Sequence, residues 1–234
     1  MSLQIAPPSE PPSLSWLRLS FQPVIAPLLN IYFERSHPTI PFFEKDWFYG
    51  RIERGEHLVN PDFAALILAM ASFALVQPIK STDANCAVED RATQAVDLLD
   101  EALKLRSRVL FGEKLSIEDC LVSFFASNIL SSLQHVESSY YRLKECLAMA
   151  ETLGLGNPKD RTKTGSIPEP DDPQVKDMRL RTYLILGVTE RGFALHRNRP
   201  IVLRVSFCYP VPVDESSLTF SIAGPAVAHA TARL

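Results

Sequence analysis

The segment Arg179–Pro200, RLRTYLILGVTERGFALHRNRP, most narrows what this chain can fold into. Its apolar residues Leu180, Tyr183, Leu184, Leu186, Val188, Phe193, Ala194 and Leu195 recur every three or four positions, as in a packed helix. Glu190 and Arg191 are set inside that pattern. A charge among packed apolar side chains is costly unless paired. The pattern therefore predicts a paired Glu190, with Arg179, Arg181 and Arg191 as its candidate partners. Arg199-Pro200 closes the segment, because the residue before a proline is pushed out of helical geometry. It holds no metal ligands in useful spacing, no nucleophile beside a base and no phosphate loop.

The rest of the chain carries the same period. Val24, Ile25, Leu28, Leu29, Tyr32 and Phe33 form one helical stripe, broken by the prolines of HPTIPFF. Asn60-Pro61-Asp62 is a helix start with a capping asparagine and proline in the first turn. It opens a helix over 61–77 that is apolar almost all round. The span 88–111 reads as amphipathic, with Ala92, Ala95, Val96, Leu99, Ala102, Leu103 and Leu110 on its buried face. Ser116-Ile-Glu-Asp119 is a capping box for the next helix. A further helix over 137–153 stops at Gly154, and the last runs over 174–198. Alternating strand patterns are absent before residue 200. The expectation is an all-α bundle or array of about six to seven helices. A flexible Pro/Ser-rich lead-in occupies 1–22, the helical domain 23–203, and an irregular tail 204–234.

Composition excludes several classes. The net charge of −3 supplies no basic field for nucleic acid. The four cysteines, Cys86, Cys120, Cys146 and Cys208, are scattered, so no zinc site is spelled out, and Cys120 and Cys146 read as small buried residues. The uncharged run 63–79 reads as a buried helix, with no membrane role expected. Asp97, Asp100 and Glu101 have the spacing of magnesium-binding carboxylates on a helix, but such spacing also suits a solvated face, and no second acidic motif follows. His37, His57, His135 and His196 have no nucleophile in triad spacing. Leu153-Gly154-Leu155-Gly156 follows a helix, not a strand, so it reads as a helix stop and not a dinucleotide loop. No residue is assigned to catalysis, to a cofactor or to a metal, and no enzyme is expected.

The order of motifs resembles one family. YFERSHPTIPFF, FAALILAMASFAL, AVDLLDEALKLRSRV, IEDCLVSFFASNIL, SSYYRLKECLAMAETLGLG and DMRLRTYLILGVTERGFALHRNRP follow one another as in the regulatory domain of fungal zinc-binuclear-cluster transcription factors. TERGFALHRNRPIVL looks most like the branch that regulates starch, maltose and xylan utilisation. Arg179 and Arg181 match its arginine-rich helix, and Arg199-Pro200 its closure; Glu190 and Arg191 are carried as family-motif residues. The chain departs from the pattern in having Tyr183 where tryptophan is common, and Gly156 where histidine is usual. The resemblance implies a nuclear role in controlling carbohydrate-utilisation genes. It implies partners among other regulator subunits or missing domains of the same protein, with a sugar as possible inducer. Zinc and DNA would be bound through an amino-terminal six-cysteine cluster that this sequence lacks. It also implies further helices past Pro200, where this chain has RVSFCYPVPVDESSLTFSIAGPAVAHATARL. A truncated gene product is therefore expected, with a disordered or loosely laid tail over 204–234 and an apolar patch left exposed. The alternative is a helical scaffold or small-molecule-binding protein unrelated to transcription.

Overall fold

The computed structural model describes residues 17–18, 20–78, 88–106, 115–155, 172–197, 200–201 and 203. The first sixteen residues, the loop 156–171, Arg199, Cys86, Cys208, Leu110 and the tail 204–234 lie outside the described residues, and so do the expectations that fall on them. Seven α-helices are described: α1 Ala26–Ile31, α2 Lys45–Glu53, α3 Pro61–Val76, α4 Val88–Arg106, α5 Ile117–Ser132, α6 Val136–Thr152 and α7 Pro173–Arg197. Among the described residues there is no strand. The architecture is all-α.

Local chemistry sets the helix ends. The Asn60 side chain accepts from the N–H groups of Asp62 and Phe63 at 3.0 and 3.3 Å, satisfying two of the four donors a helix start leaves over. Ser116 and Asp119 form the reciprocal capping box at the head of α5. Gly154 sits at φ 62°, a left-handed conformation that favours glycine. It lets Leu155 N–H reach back to Ala150 O at 3.0 Å and stop α6. Arg91 of α4 donates to Leu75 O and Gln77 O, closing the far end of α3.

Helix α3 is the axis of the core. Every residue from Phe63 to Leu75 is buried. It packs against α1, α4 and α5, while α5 and α6 form a neighbouring antiparallel pair joined by a short turn. Its one interior hydroxyl, Ser72 Oγ, donates across to Ala95 O of α4 at 2.6 Å. An aromatic cluster fills the space between α1, α2, α3 and α5. Phe42 meets Phe124 edge-on at 4.9 Å, and Phe43 stacks on Phe48 at 4.8 Å. The two-proline turn after α1 delivers Phe42 and Phe43 into this cluster, and His37 Nε2 bonds Phe43 O across it at 2.7 Å. Burial pushes the Tyr32 phenol well above its usual range, and its hydroxyl donates to Ile40 O at 3.2 Å.

Two expectations are corrected. The lead-in ends earlier than residue 22: Leu17 and Phe21 are core residues, and π-helical turns over Phe21–Ile25 and Tyr32–Ser36 extend α1 in both directions. Pro23 and Pro27 withhold N–H donors from this rod without ending it, because its apolar stripe has a core to bury against. The inward face of α4 is turned from the one expected: Leu98 and Leu105 join Ala95, Leu99 and Ala102 inside, while Ala92 and Val96 are exposed. In α6, Tyr141 points to solvent, 69% exposed, and Ser139 takes a buried place beside Ser127 of α5.

Candidate functional site

Arg179 and Arg181 latch α7 to the rest of the bundle. Arg179 is buried and donates through Nη2 to Leu153 O at 2.5 Å, capping the carbonyl end of α6. Arg181 pairs with Glu44 at 2.6 Å and with Asp177 at 2.6 Å, tying α7 to the segment before α2. Arg191 donates back to Gly187 O at 2.7 Å. Glu190 is 3% exposed, and its Oε2 accepts the backbone N–H of Leu203 at 2.7 Å. An N–H···carboxylate bond of this kind is charge-assisted. It holds Leu203, itself buried, to the helix. The expected pairing of Glu190 with arginine left out this backbone donor, which a helical period cannot announce.

Among the described residues, Arg179, Arg181 and Arg191 lie apart from the hollow that Glu190 and Pro200 line. Glu190 and Pro200 are brought together at a small hollow with Tyr140, Leu143 and Phe193. Tyr183 is buried. The carboxylates Asp97 and Asp100 face solvent, and Glu101 is held by Lys104 at 2.7 Å. Among the described residues, no three His, Cys, Asp or Glu side chains come together as metal ligands would. No helix described is long and apolar enough to cross a membrane.

Sequence reasoning passed over a polar cleft between α4, α5 and α6. It has a volume of about 680 Å³ and is lined by Asp100, Lys104, Arg106, Asp119, Arg142 and Glu145, with Leu103, Leu115 and Met149. Arg106 reaches from α4 to Glu145 of α6 and to Ser123 of α5. Arg142 adds a second guanidinium to Glu145 at 2.9 Å. Burial alone would raise the Glu145 carboxyl, but the Arg142 hydrogen bond and the Arg106 charge outweigh it and hold the group below the usual range. Asp119 gives Oδ2 to its capping box, while its buried Oδ1 has no hydrogen-bond partner. The only signal in the sequence was the Arg142–Glu145 spacing of three; the meeting with Arg106 is tertiary.

Three further groups are settled by packing. Cys120 and Cys146 are fully buried, their sulfurs 3.5 Å apart, and each thiol donates to the other's carbonyl. Burial pushes the Cys146 thiol well up, so it stays protonated as the small-residue reading expects. His57 is not a free loop residue: it is 7% exposed, its ring lies 4.5 Å from Phe21, and burial lowers its pKa. Arg51 is likewise buried, sandwiched over Phe63 at 3.9 Å and bonded to Glu56 and Glu118.

A scan against protein-family models, a search of curated proteins and a search of solved structures return no match to this chain.

Proposed function

We propose that this chain is the helical regulatory domain of a fungal transcription regulator controlling carbohydrate-utilisation genes. The observation that carries the reading is the succession of family-like motifs along consecutive elements of an all-α fold. YFERSHPTIPFF runs from the end of α1 through the two-proline turn, and FAALILAMASFAL fills α3. AVDLLDEALKLR, IEDCLVSFFASNIL, YYRLKECLAMAETLGL and DMRLRTYLILGVTERGFALHR follow on α4, α5, α6 and α7. The Glu190 latch on the stretch after Arg-Pro adds a structural role for a motif residue. Under this reading the location is nuclear, and zinc and DNA contacts belong to a segment outside this sequence. Regulation then runs through intramolecular contact or a sugar inducer. The test is to read the coding sequence upstream for a six-cysteine cluster, and to fuse the chain to an unrelated DNA-binding domain with a reporter gene. Sugar-dependent reporter output is the expected result. No cluster upstream and no change with starch, maltose or xylan removes the reading.

A second reading rests on the α4–α5–α6 cleft. A small-molecule-binding protein unrelated to transcription would use its alternating carboxylates and guanidiniums. A saturable rise in melting temperature with a small polar ligand, lost in Arg142→Ala, supports this reading. No rise across a broad panel of polar ligands removes it.

A further inference from the structure

Helix α7 buries one side and presents a second, apolar one. Met178, Arg179, Thr182, Tyr183, Leu186 and Glu190 are buried against the bundle. Leu180, Leu184, Val188 and Leu195 are 37, 42, 73 and 86% exposed. At about 100° per residue, these four fall within about 40° of one line along the helix, on the side opposite the buried residues. Asp177 and Arg191 fall on the same line, one near each end. The seam therefore reads Asp177, Leu180, Leu184, Val188, Arg191, Leu195, at intervals of three and four, which is the spacing of helix-on-helix packing.

The charges select the occupant and its direction. We propose that this seam pairs with the same seam of a second copy of the chain, antiparallel, with the two-fold axis at Leu184. In that register Leu184 meets Leu184, Leu180 meets Val188, and Asp177 meets Arg191 twice over. Such a contact is isologous, so it closes as a dimer instead of growing into a fibre. A parallel pairing would set Asp177 against Asp177 and Arg191 against Arg191, and like charges across a seam are unfavourable. The pairing also removes Leu180, Leu184 and Val188 from water. Asp177 stays within reach of Arg181, so the contact extends an existing ion pair instead of stranding one.

Sedimentation velocity of the full chain over a range of concentrations tests the pairing. The expected result is a reversible monomer–dimer equilibrium. Val188→Glu should leave only monomer while far-UV circular dichroism and melting at dilution stay unchanged, since Val188 is mostly exposed. Asp177→Arg and Arg191→Asp should each weaken the dimer about tenfold, and the double variant should restore it. Register is read by cysteine placement. With oxidised glutathione as acceptor of the two electrons and two protons, Leu184→Cys should form a 184–184 disulfide between copies, seen by peptide mass, whereas Leu180→Cys should not join to itself. A chain monomeric at every concentration overturns the proposal. So does a dimer indifferent to Val188→Glu, or a 180–180 cross-link.

Discussion

Helices α3 and α7 are both rich in apolar residues, and the bundle uses them in opposite ways. In α3, thirteen consecutive residues from Phe63 to Leu75 are buried, so no side of the helix faces water. In α7 the inward side mixes Met178, Tyr183 and Leu186 with Arg179, Thr182 and Glu190, while Leu180, Leu184, Val188 and Leu195 face out. The difference follows from position. Helix α3 has neighbours on several sides in α1, α4 and α5, whereas α7, among the described residues, packs mainly against α5 and α6. A helix at the margin has one wall to bury against, and α7 uses its wall for latches: Arg179 on Leu153, Arg181 on Glu44, and Glu190 on Leu203. What this teaches is that apolar content alone does not assign a helix to the core. The supply of neighbours does.

The contrast can be broken by substitution. Leu66→Ala in α3 should cost about 2–5 kcal/mol, because the transfer term is joined by an unfilled cavity in close-packed surroundings. Urea unfolding measures it, and a loss under 1 kcal/mol would mean that the centre of α3 is loosely packed. Glu190→Ala should cost about 2–3 kcal/mol and expose Leu203, since a buried backbone N–H loses its charged acceptor. Slower hydrogen exchange or an unchanged midpoint in that variant would leave the latch without weight.

His57 sharpens the comparison on the core side by a pH measurement. Its pKa is lowered in the fold by burial, so the unfolded chain takes up the proton first. Stability from this group is full above the unfolded histidine value of about 6.5 and is lost as pH falls through it towards the lower folded value. Between pH 7 and 5 the parent should lose stability relative to His57→Leu, and parallel pH profiles would show that the ring is hydrated in the fold. The smallest effect belongs to α7. Val188→Ala, measured at dilutions where the chain is monomeric, should change stability by less than about 0.5 kcal/mol, as for exposed positions away from special features. A cost like that of Leu66→Ala would erase the distinction between the two helices.

Much of the fold was legible because its signals are local. Asn60, Ser116 with Asp119, and Gly154 act within a turn of themselves, so the ends of α3, α5 and α6 could be read within a residue or two. Other features were hidden for the opposite reason. Leu17 and Phe21 sit behind prolines that looked like a boundary, yet the core reaches them. Arg106 and Glu145 are 39 residues apart, and only the packing of α4 on the α5–α6 pair brings them together at the cleft.

By itself, then, the sequence determined that this chain is helical, where most of its helices start and stop, and that α3 is apolar on all sides, since each depends on neighbours within about one turn. Tertiary structure alone decided which side of α7 turns inward, how α4 is rotated, and that Glu190 takes a backbone N–H from Leu203. Those outcomes depend on which surfaces remain uncovered once α3, α5 and α6 have packed, and burial is a property of the assembled neighbours that no helical period contains.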